Sequence, residues 1–73
     1  MARNSQYEQV EVEVDRLVRQ TDKAGLFLIA GQEVWLPWSQ IGEDSEVKDD
    51  DDAGMIYIPR WLAEKHELEY EEI

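Results

Sequence analysis

The sequence has no cysteine, a single histidine and only seven basic residues among its 73 residues. The lack of cysteine excludes disulfides and thiolate metal sites. The longest apolar run, Leu26 to Ala30, is far shorter than the roughly 20 residues that a membrane-spanning helix requires. The first six residues contain no apolar segment of the kind found in signal peptides. These absences predict a soluble, cytoplasmic protein.

The length allows one domain, which spans residues 1–73. Hydrophobic residues make up 42% of the chain, enough for one small core. A core of this size typically contributes only about 3–5 kcal/mol to stability. In chains of this size disulfides, metals or oligomerisation often add to the stability that the core provides.

The chain carries 18 acidic residues and a net charge of −11. Much of the excess lies in an acidic loop over residues 43–54, where Asp49 to Asp52 run without interruption, and in an acidic tail over residues 69–73. Such a surface repels phosphate backbones and anionic lipids, and it attracts cations and basic proteins. Direct nucleic-acid binding and membrane binding are therefore disfavoured.

Alternation of apolar and charged residues predicts the first strand. Val10, Val12 and Val14 alternate with acids, and the pattern continues to Val18. Arg16 falls on the inward face of this pattern and Leu17 on the outward face, which predicts a bulge or an exit from the core. Residues 1–7 show no pattern and are expected to be a flexible N-terminus.

Turn signals divide the rest of the β-rich region. Residues 21–25 form a predicted turn, and Leu26 to Ala30 a central strand. Gly31 and Gln32 lie at hairpin spacing, with glycine suited to the first central position of a type II′ turn. Residues 33–36 are a third strand, and residues 37–41 a short turn or 3₁₀ segment that returns Ile41 to the core.

The last strand and a helix complete the expected fold. The acidic loop is expected to be extended and mobile through charge repulsion. Residues 55–58 form the fourth strand, and Pro59 suits the first position of a helix that continues to Leu68. Trp61 is expected to anchor this helix on the sheet. The sequence therefore predicts an α+β, mainly β protein: a small antiparallel four-stranded barrel-like sheet with one C-terminal helix.

Enzymatic and metal sites have weak support. His66 lies in the predicted helix among charged residues, without a serine or aspartate placed to complete a nucleophilic site. The four glycines are isolated, so there is no phosphate-binding loop. A calcium loop of the EF-hand type beginning at Asp44 fails because Lys48 and Asp49 occupy its fifth and sixth positions. We expect no enzymatic activity, no metal and no cofactor.

Two kinds of binding surface remain. Exposed carboxylates can imitate a phosphate backbone and occupy the nucleic-acid groove of a basic protein. Trp38 follows Pro37 in a non-repetitive segment and is the candidate for an exposed binding aromatic. The predicted partner-binding residues are Glu43, Asp44, Glu46, Asp49, Asp50, Asp51 and Asp52 in the loop, Glu11, Glu13 and Asp15 on the first strand, and Trp38.

Two motifs resemble those of small phage and prophage proteins. Residues 33–41 read EVWLPWSQI and residues 59–65 read PRWLAEK, similar to the pairing of EVWLP-x-SQI with P-x-WLA-x-K in those proteins. The resemblance covers about residues 14–68. In similar sequences a basic residue often occupies the position of Trp38. Small acidic phage proteins include anti-CRISPR and anti-restriction inhibitors, so the resemblance implies an inhibitor acting in the cytoplasm of a host cell.

Together these observations favour a non-enzymatic, phage-encoded inhibitor that binds a basic nucleic-acid-binding surface of a host defence protein, as an anti-CRISPR protein does by DNA mimicry. Its expected partner is a basic host protein such as a CRISPR effector. The alternatives are an accessory protein-binding module of phage replication or recombination that uses Trp35 and Trp38, and a small single-stranded nucleic-acid binder.

Overall fold

The structure is a computed structural model that describes residues 8–72. Its elements in chain order are β1 Gln9–Val14, β2 Arg16–Gln20, β3 Ala24–Ile29, β4 Gln32–Pro37, a 3₁₀ turn Trp38–Gln40, β5 Gly54–Pro59, α1 Arg60–Lys65 and β6 Glu71–Glu72. They form two three-stranded antiparallel sheets, ordered β5-β1-β6 and β2-β3-β4. Among residues 8–72, no helix has the length and apolar composition needed to cross a membrane.

The fold is mainly β with one helix, as predicted, but the described residues do not form a closed barrel or a four-stranded sheet. The difference begins at Asp15, where the single predicted strand divides into β1 and β2. Asp15 is a bend whose backbone N–H donates to the carbonyl of Leu28 (2.8 Å). Because β1 and β2 pair with different strands, they belong to different sheets.

The bend also reverses the side-chain alternation. Leu17 is fully buried and Arg16 is exposed, the opposite of the predicted orientations. The bulge predicted near Arg16 and Leu17 is present slightly further along the chain. The pairing of β2 with β3 shifts register between Leu17 and Arg19. The bend therefore adds a leucine to a core that the continuous alternation would have supplied with an arginine.

One hydrophobic core lies between the sheets and the helix. Its buried members are Val10, Val12, Val14, Leu17, Phe27, Ile29, Val34, Leu36, Val47, Ile56, Ile58, Leu62, Ala63 and Leu68. Fully burying a side chain of this kind contributes about 1.5–3 kcal/mol relative to leaving it exposed. Ile41 packs against this core, as predicted for the residue that follows the 3₁₀ turn.

The helix is shorter than predicted. Pro59 is its N-cap in an extended conformation, and the helix ends at Lys65 rather than Leu68. Glu67 adopts a positive φ of 56°, and the N–H of Leu68 donates to the carbonyl of Ala63 (2.9 Å), as in a Schellman motif. This termination turns Leu68 back into the core. Trp61 is only partly buried against the core, and the buried helix residues are Leu62 and Ala63.

The β3–β4 hairpin turns one residue earlier than predicted. Ile29 pairs with Gln32, so Ala30 and Gly31 are the central residues. Both have positive φ, 51° and 81°, which is the signature of a type I′ turn rather than type II′. Gly31 therefore occupies the second central position, and Ala30 carries a β-carbon in a conformation that L residues disfavour.

The turn type can be tested with Ala30→Asn. Asparagine followed by glycine is the preferred type I′ pair. The left-handed conformation costs an L residue such as alanine roughly 1–2 kcal/mol, and asparagine adopts it more readily, so this variant is expected to stabilise the protein by about 1 kcal/mol. In a type II′ turn at residues 31–32, position 30 would be in a strand, where asparagine is unfavourable. Urea unfolding gives the sign, and a lower midpoint for Ala30→Asn would contradict the observed turn. Ala30→Val is the control and should be destabilising.

Candidate functional site: an acidic face around Tyr57

The outer side of the β1–β5 pair carries a row of acidic and bulky side chains. Glu11 lies opposite Tyr57, and Glu13 lies opposite Met55. Since alternate side chains of a strand point to opposite faces, the buried valines of β1 place Glu11 and Glu13 on the face away from the core. The half-buried Tyr57 donates its hydroxyl hydrogen bond to Glu11 Oε2 (3.4 Å).

Part of the acidic loop adds to this face because it pairs along β5. The N–H of Gly42 donates to the carbonyl of Tyr57 (2.7 Å), and the N–H of Glu46 donates to the carbonyl of Met55 (2.9 Å). In return, Ser45 Oγ accepts from the N–H of Tyr57 (3.0 Å), and Glu46 Oε1 from the N–H of Met55 (2.9 Å). The loop is therefore fixed to the sheet rather than extended into solvent.

Burial of Val47 completes this attachment. Val47 is fully buried and Ser45 nearly so, whereas the flanking Asp44, Glu46 and Lys48 are exposed. Val47 joins the main core. One apolar residue in an acidic segment thus holds the loop against the protein and leaves the neighbouring charges in water.

Several carboxylates affect the pKa of Tyr57. Its pKa is raised above the ordinary value of 10.0, first by burial and then by the negative charge and hydrogen bond of Glu11, with further contributions from Glu46 and Asp44. A phenolate beside these carboxylates would be repelled by them. Glu11 of β1 and the loop acids Glu46 and Asp44 therefore all act on the same ring, although Glu11 is more than 30 residues from the other two in sequence.

A groove continues this face toward the C-terminus. It has a volume of about 570 Å³ and is open to solvent. Its lining residues are Glu11, Glu13, Met55, Leu68, Glu69, Tyr70 and Glu71. The lining thus combines four carboxylates with the apolar side chains of Met55 and Leu68 and the ring of Tyr70. This combination suits a long basic side chain, whose methylenes can lie on apolar surface while its charge meets carboxylates. We call Glu11, Glu13, Asp44, Glu46, Glu69 and Glu71, with Tyr57 and Met55, the acidic face.

Arg60 holds the C-terminal segment that contributes Tyr70 to the groove. The half-buried guanidinium bonds to Glu72 Oε2 (2.7 Å) and donates to the Tyr70 hydroxyl (3.1 Å), and it lies 5.5 Å from the centre of the Tyr70 ring. The Tyr70 hydroxyl in turn donates to Glu64 Oε2 (2.9 Å). The hydrogen bond to Arg60 lowers the pKa of Glu72, and the same bond raises that of Arg60. These contacts hold β6 beside Val10 and Glu11.

Asp49 to Asp52, which we call the aspartate block, lie elsewhere, along the outer edge of β2. The N–H of Leu17 donates to the carbonyl of Asp52 (2.9 Å), and the N–H of Asp51 donates to the carbonyl of Leu17 (2.8 Å). Asp52 Oδ2 accepts from the N–H groups of Lys48 (3.1 Å) and Asp49 (2.9 Å). These backbone hydrogen bonds lower the pKa of the Asp52 carboxyl.

Two more acids of the block have partners within the chain. Asp51 forms an ion pair with Arg16 (3.1 Å), and Asp50 Oδ1 accepts from Gln20 Nε2 (3.2 Å). Exposed ion pairs of this kind contribute little, about 0–1 kcal/mol. Their importance is geometric, because they place the block along β2 rather than on the acidic face.

The structure thus divides the predicted site residues. Glu11, Glu13, Asp44 and Glu46 lie together on the acidic face. Asp49, Asp50, Asp51 and Asp52 lie along β2, Glu43 is exposed in the loop, and Asp15 is exposed at the bend between the sheets. The aspartate block, predicted to be mobile, is a folded segment.

Trp38, the predicted exposed aromatic, is packed within the chain. Trp38 is half-buried, its Nε1–H donates to the carbonyl of Thr21 (3.0 Å), and its ring packs edge-on against Phe27 at 5.6 Å. Among the described residues, the exposed large hydrophobic is instead Trp35, at 45%. The alternation in β4 explains this, since Val34 and Leu36 point into the core and Trp35 points away.

Four residues of the acidic face were missed from the sequence: Tyr57, Met55, Glu69 and Glu71. Alternation in residues 55–58 contained the signal for the first two, because burial of Ile56 and Ile58 places Met55 and Tyr57 on the other face. Glu69 and Glu71 had no such signal, because Glu69 lies outside any strand and β6, which contains Glu71, has only two residues and no apolar alternation.

No protein-family model, curated protein or solved structure matches this chain. Within residues 8–72, no three histidine, aspartate or glutamate side chains are grouped to hold a metal ion. The function therefore has to be inferred from the geometry and charge of the acidic face.

The first prediction from this site concerns the ionisation of Tyr57. Glu11→Gln removes a nearby charge and is expected to lower the pKa of Tyr57 toward 10.0; Asp44→Asn should lower it less, because Asp44 contributes less. Phenolate absorbance, assigned by difference from Tyr57→Phe, measures both. The raised pKa contributes stability that is complete below pH 10.0 and is lost as pH rises through the folded-state pKa. An unchanged pKa in Glu11→Gln would contradict the proximity of the two groups.

The second prediction concerns Asp52. Asp52→Ala removes the acceptor for two backbone N–H groups and should lower the urea midpoint, whereas Asp49→Ala removes the same charge without a comparable contact. Because the pKa of Asp52 is below its ordinary 3.8, its contribution is present above that pH and is lost as pH falls through the folded-state pKa. The difference between the variants should therefore shrink in acid. Equal midpoints at neutral pH would show that Asp52 does not fix the loop.

Proposed function

We propose that this chain is a non-enzymatic, phage-encoded inhibitor that occupies the basic nucleic-acid-binding surface of a host defence protein. The observation that carries the proposal is the acidic face: six carboxylates from β1, the loop and the C-terminal segment are arranged on a fixed framework around Tyr57 and an open groove. The phage origin rests on the resemblance of residues 33–41 and 59–65 to phage proteins.

The dimensions of the molecule suit imitation of a nucleic acid. Its extents are 41 × 23 × 18 Å. A DNA duplex 41 Å long has about 12 base pairs, and about 12 phosphates on each strand, at 3.4 Å per step. The six carboxylates of the acidic face are fewer than the about 12 phosphates of one such strand, so the face can imitate only part of one strand. We expect a partner that contacts one side of its nucleic acid.

Two arginines form ion pairs with carboxylates that are not part of the acidic face. Arg60 is half-buried and bonded to Glu72, and Arg16 pairs with Asp51 on β2. A net charge of −11 would accelerate encounter with a basic surface, by about 10- to 1000-fold at low ionic strength. Salt should slow this encounter and weaken the complex.

Preorganisation is the second physical argument for binding. Carboxylates on a mobile loop lose conformational entropy when a partner fixes them. Here Ser45 and Glu46 bond to β5, and Val47 is buried, before any partner arrives. Less binding free energy is then lost in ordering the loop, so acids on this framework bind better than the same acids on a disordered one.

An accessory protein-binding module is the second candidate. It is favoured by Trp35, whose side chain is 45% exposed on an edge strand. Trp38 supports it less, since its indole is half-buried and hydrogen-bonded within the chain. A single-stranded nucleic-acid binder is the weakest of the three, because stacking aromatics need a basic groove beside them, and the groove of this protein is acidic.

The experiment compares two triple variants that remove equal charge. The first variant removes three charges from the acidic face by Asp44→Asn, Glu13→Gln and Glu69→Gln. The second removes three charges from the aspartate block by Asp49→Asn, Asp50→Asn and Asp51→Asn, and it retains Asp52. The immobilised protein is incubated at low and high salt with lysate from cells that express CRISPR effectors. Each retained protein is then purified and tested for loss of DNA binding in the presence of the chain.

Compared with the unmodified chain, the acidic-face variant is expected to bind the retained protein with an association rate constant lower by about tenfold or more. The block variant should lower this rate constant much less. Circular dichroism establishes that both variants are folded. Equal losses would mean that net charge, rather than the acidic face, drives binding. The proposal would be overturned if the chain inhibits the DNA binding of none of the proteins it retains.

A further inference from the structure

Strand β4 has an open edge. It is the last strand in the order β2-β3-β4, and its pairing is with β3 alone. In the antiparallel hairpin, Ile29 pairs with Gln32 across the two-residue turn, so the backbone groups of residues 32, 34 and 36 face β3. The N–H of Trp38 continues this series by donating to the carbonyl of Lys23 (2.9 Å). The backbone groups of Glu33 and Trp35 therefore face outward.

These outward groups have no hydrogen-bond partner within the part of the chain that the structure describes. Pro37 lacks an N–H and ends the open stretch on one side. The edge thus offers two N–H donors and two carbonyl acceptors, spaced as in the edge of a sheet that awaits another strand.

An exposed aromatic stands beside these groups. Trp35 lies directly opposite Leu26 on the outer face of the sheet. Leu26 is only 9% exposed although it lies outside the main core cluster, so an apolar side chain lies beside Trp35 on this face. Natural edge strands are usually protected by charges, prolines or bulges. Pro37 protects one end of β4, but Trp35 adds the kind of side chain that is enriched at binding hot spots.

We propose that β4 binds an extended segment of a basic partner as an added antiparallel strand. Opposite Trp35 this segment has a β-branched or aromatic residue, and opposite Glu33 it has lysine or arginine, because such cross-strand pairs stabilise a sheet. A second copy of this chain is disfavoured, since each copy carries a charge of −11. This inference does not depend on the acidic face, which belongs to the other sheet.

The orientation gives a matched pair of probes. In an antiparallel strand, the residue opposite Trp35 precedes by two positions the residue opposite Glu33. The first probe is a short blocked peptide in which valine is followed two residues later by lysine, and the second has the same composition with these two residues exchanged. The first should bind about two- to fivefold more tightly, the range expected for one cross-strand pair.

Nuclear magnetic resonance locates the peptide. The amide protons of Glu33 and Trp35 should become protected from exchange when the first peptide is added. Glu33→Pro removes one donor at an edge position that tolerates proline. Because proline has no amide proton, the readout in this variant is the Trp35 amide, whose protection should be lost. Glu33→Gln keeps the donor, so it should retain binding while reducing the preference between the peptides. Trp35→Ala should weaken binding more than Trp35→Tyr.

Several outcomes would overturn the inference. One is that the peptide perturbs only the acidic face and leaves the Glu33 and Trp35 amides unprotected, which would indicate attraction by charge alone. Another is that these amides are already protected in a free protein of dimeric mass, which would assign the edge to a second copy. A third is the absence of binding by either peptide.

Discussion

The bend at Asp15 is the feature on which the rest of the structure depends. It separates β1 from β2, so that a single run of alternating residues contributes to two sheets. It also turns Leu17 into the core, and the backbone of Leu17 then bonds to Asp51 and Asp52. Without the bend, Arg16 would face the core and the aspartate block would lack this edge. Core and loop are therefore coupled through one position.

The acids of this chain serve folding as well as charge. Glu46 and Asp52 accept backbone N–H groups of the loop and β5, and Glu72 binds Arg60 and thereby holds β6. Charge-assisted hydrogen bonds of this kind are stronger than neutral ones. They offset the repulsion that was expected to keep the acidic loop extended. Together with the burial of Val47, they explain why so acidic a segment is ordered.

Alternation and turn chemistry predicted the local structure well, because both depend on neighbouring residues. The strands at residues 26–29 and 55–58, the 3₁₀ turn and the start of the helix after Pro59 follow from such patterns. The hairpin register was missed because alanine gives no sign that Ala30 has a positive φ. β6 and the acidic face were missed because they depend on contacts between distant residues, such as Arg60 with Glu72 and Glu11 with Tyr57.

The two proposed binding surfaces follow from the same division into two sheets. In the first sheet the loop pairs with the β5 edge, β6 is the other edge strand, and the outer face carries the carboxylates. The second sheet has its β2 edge covered by residues 51–52, which leaves the β4 edge open. A partner can therefore meet charge on one sheet and backbone hydrogen-bonding groups on the other. Since Asp52 and Glu46 also hold the loop in place, neutralising every acid at once would alter the fold together with the charge. Only substitutions chosen by their contacts can separate the two effects.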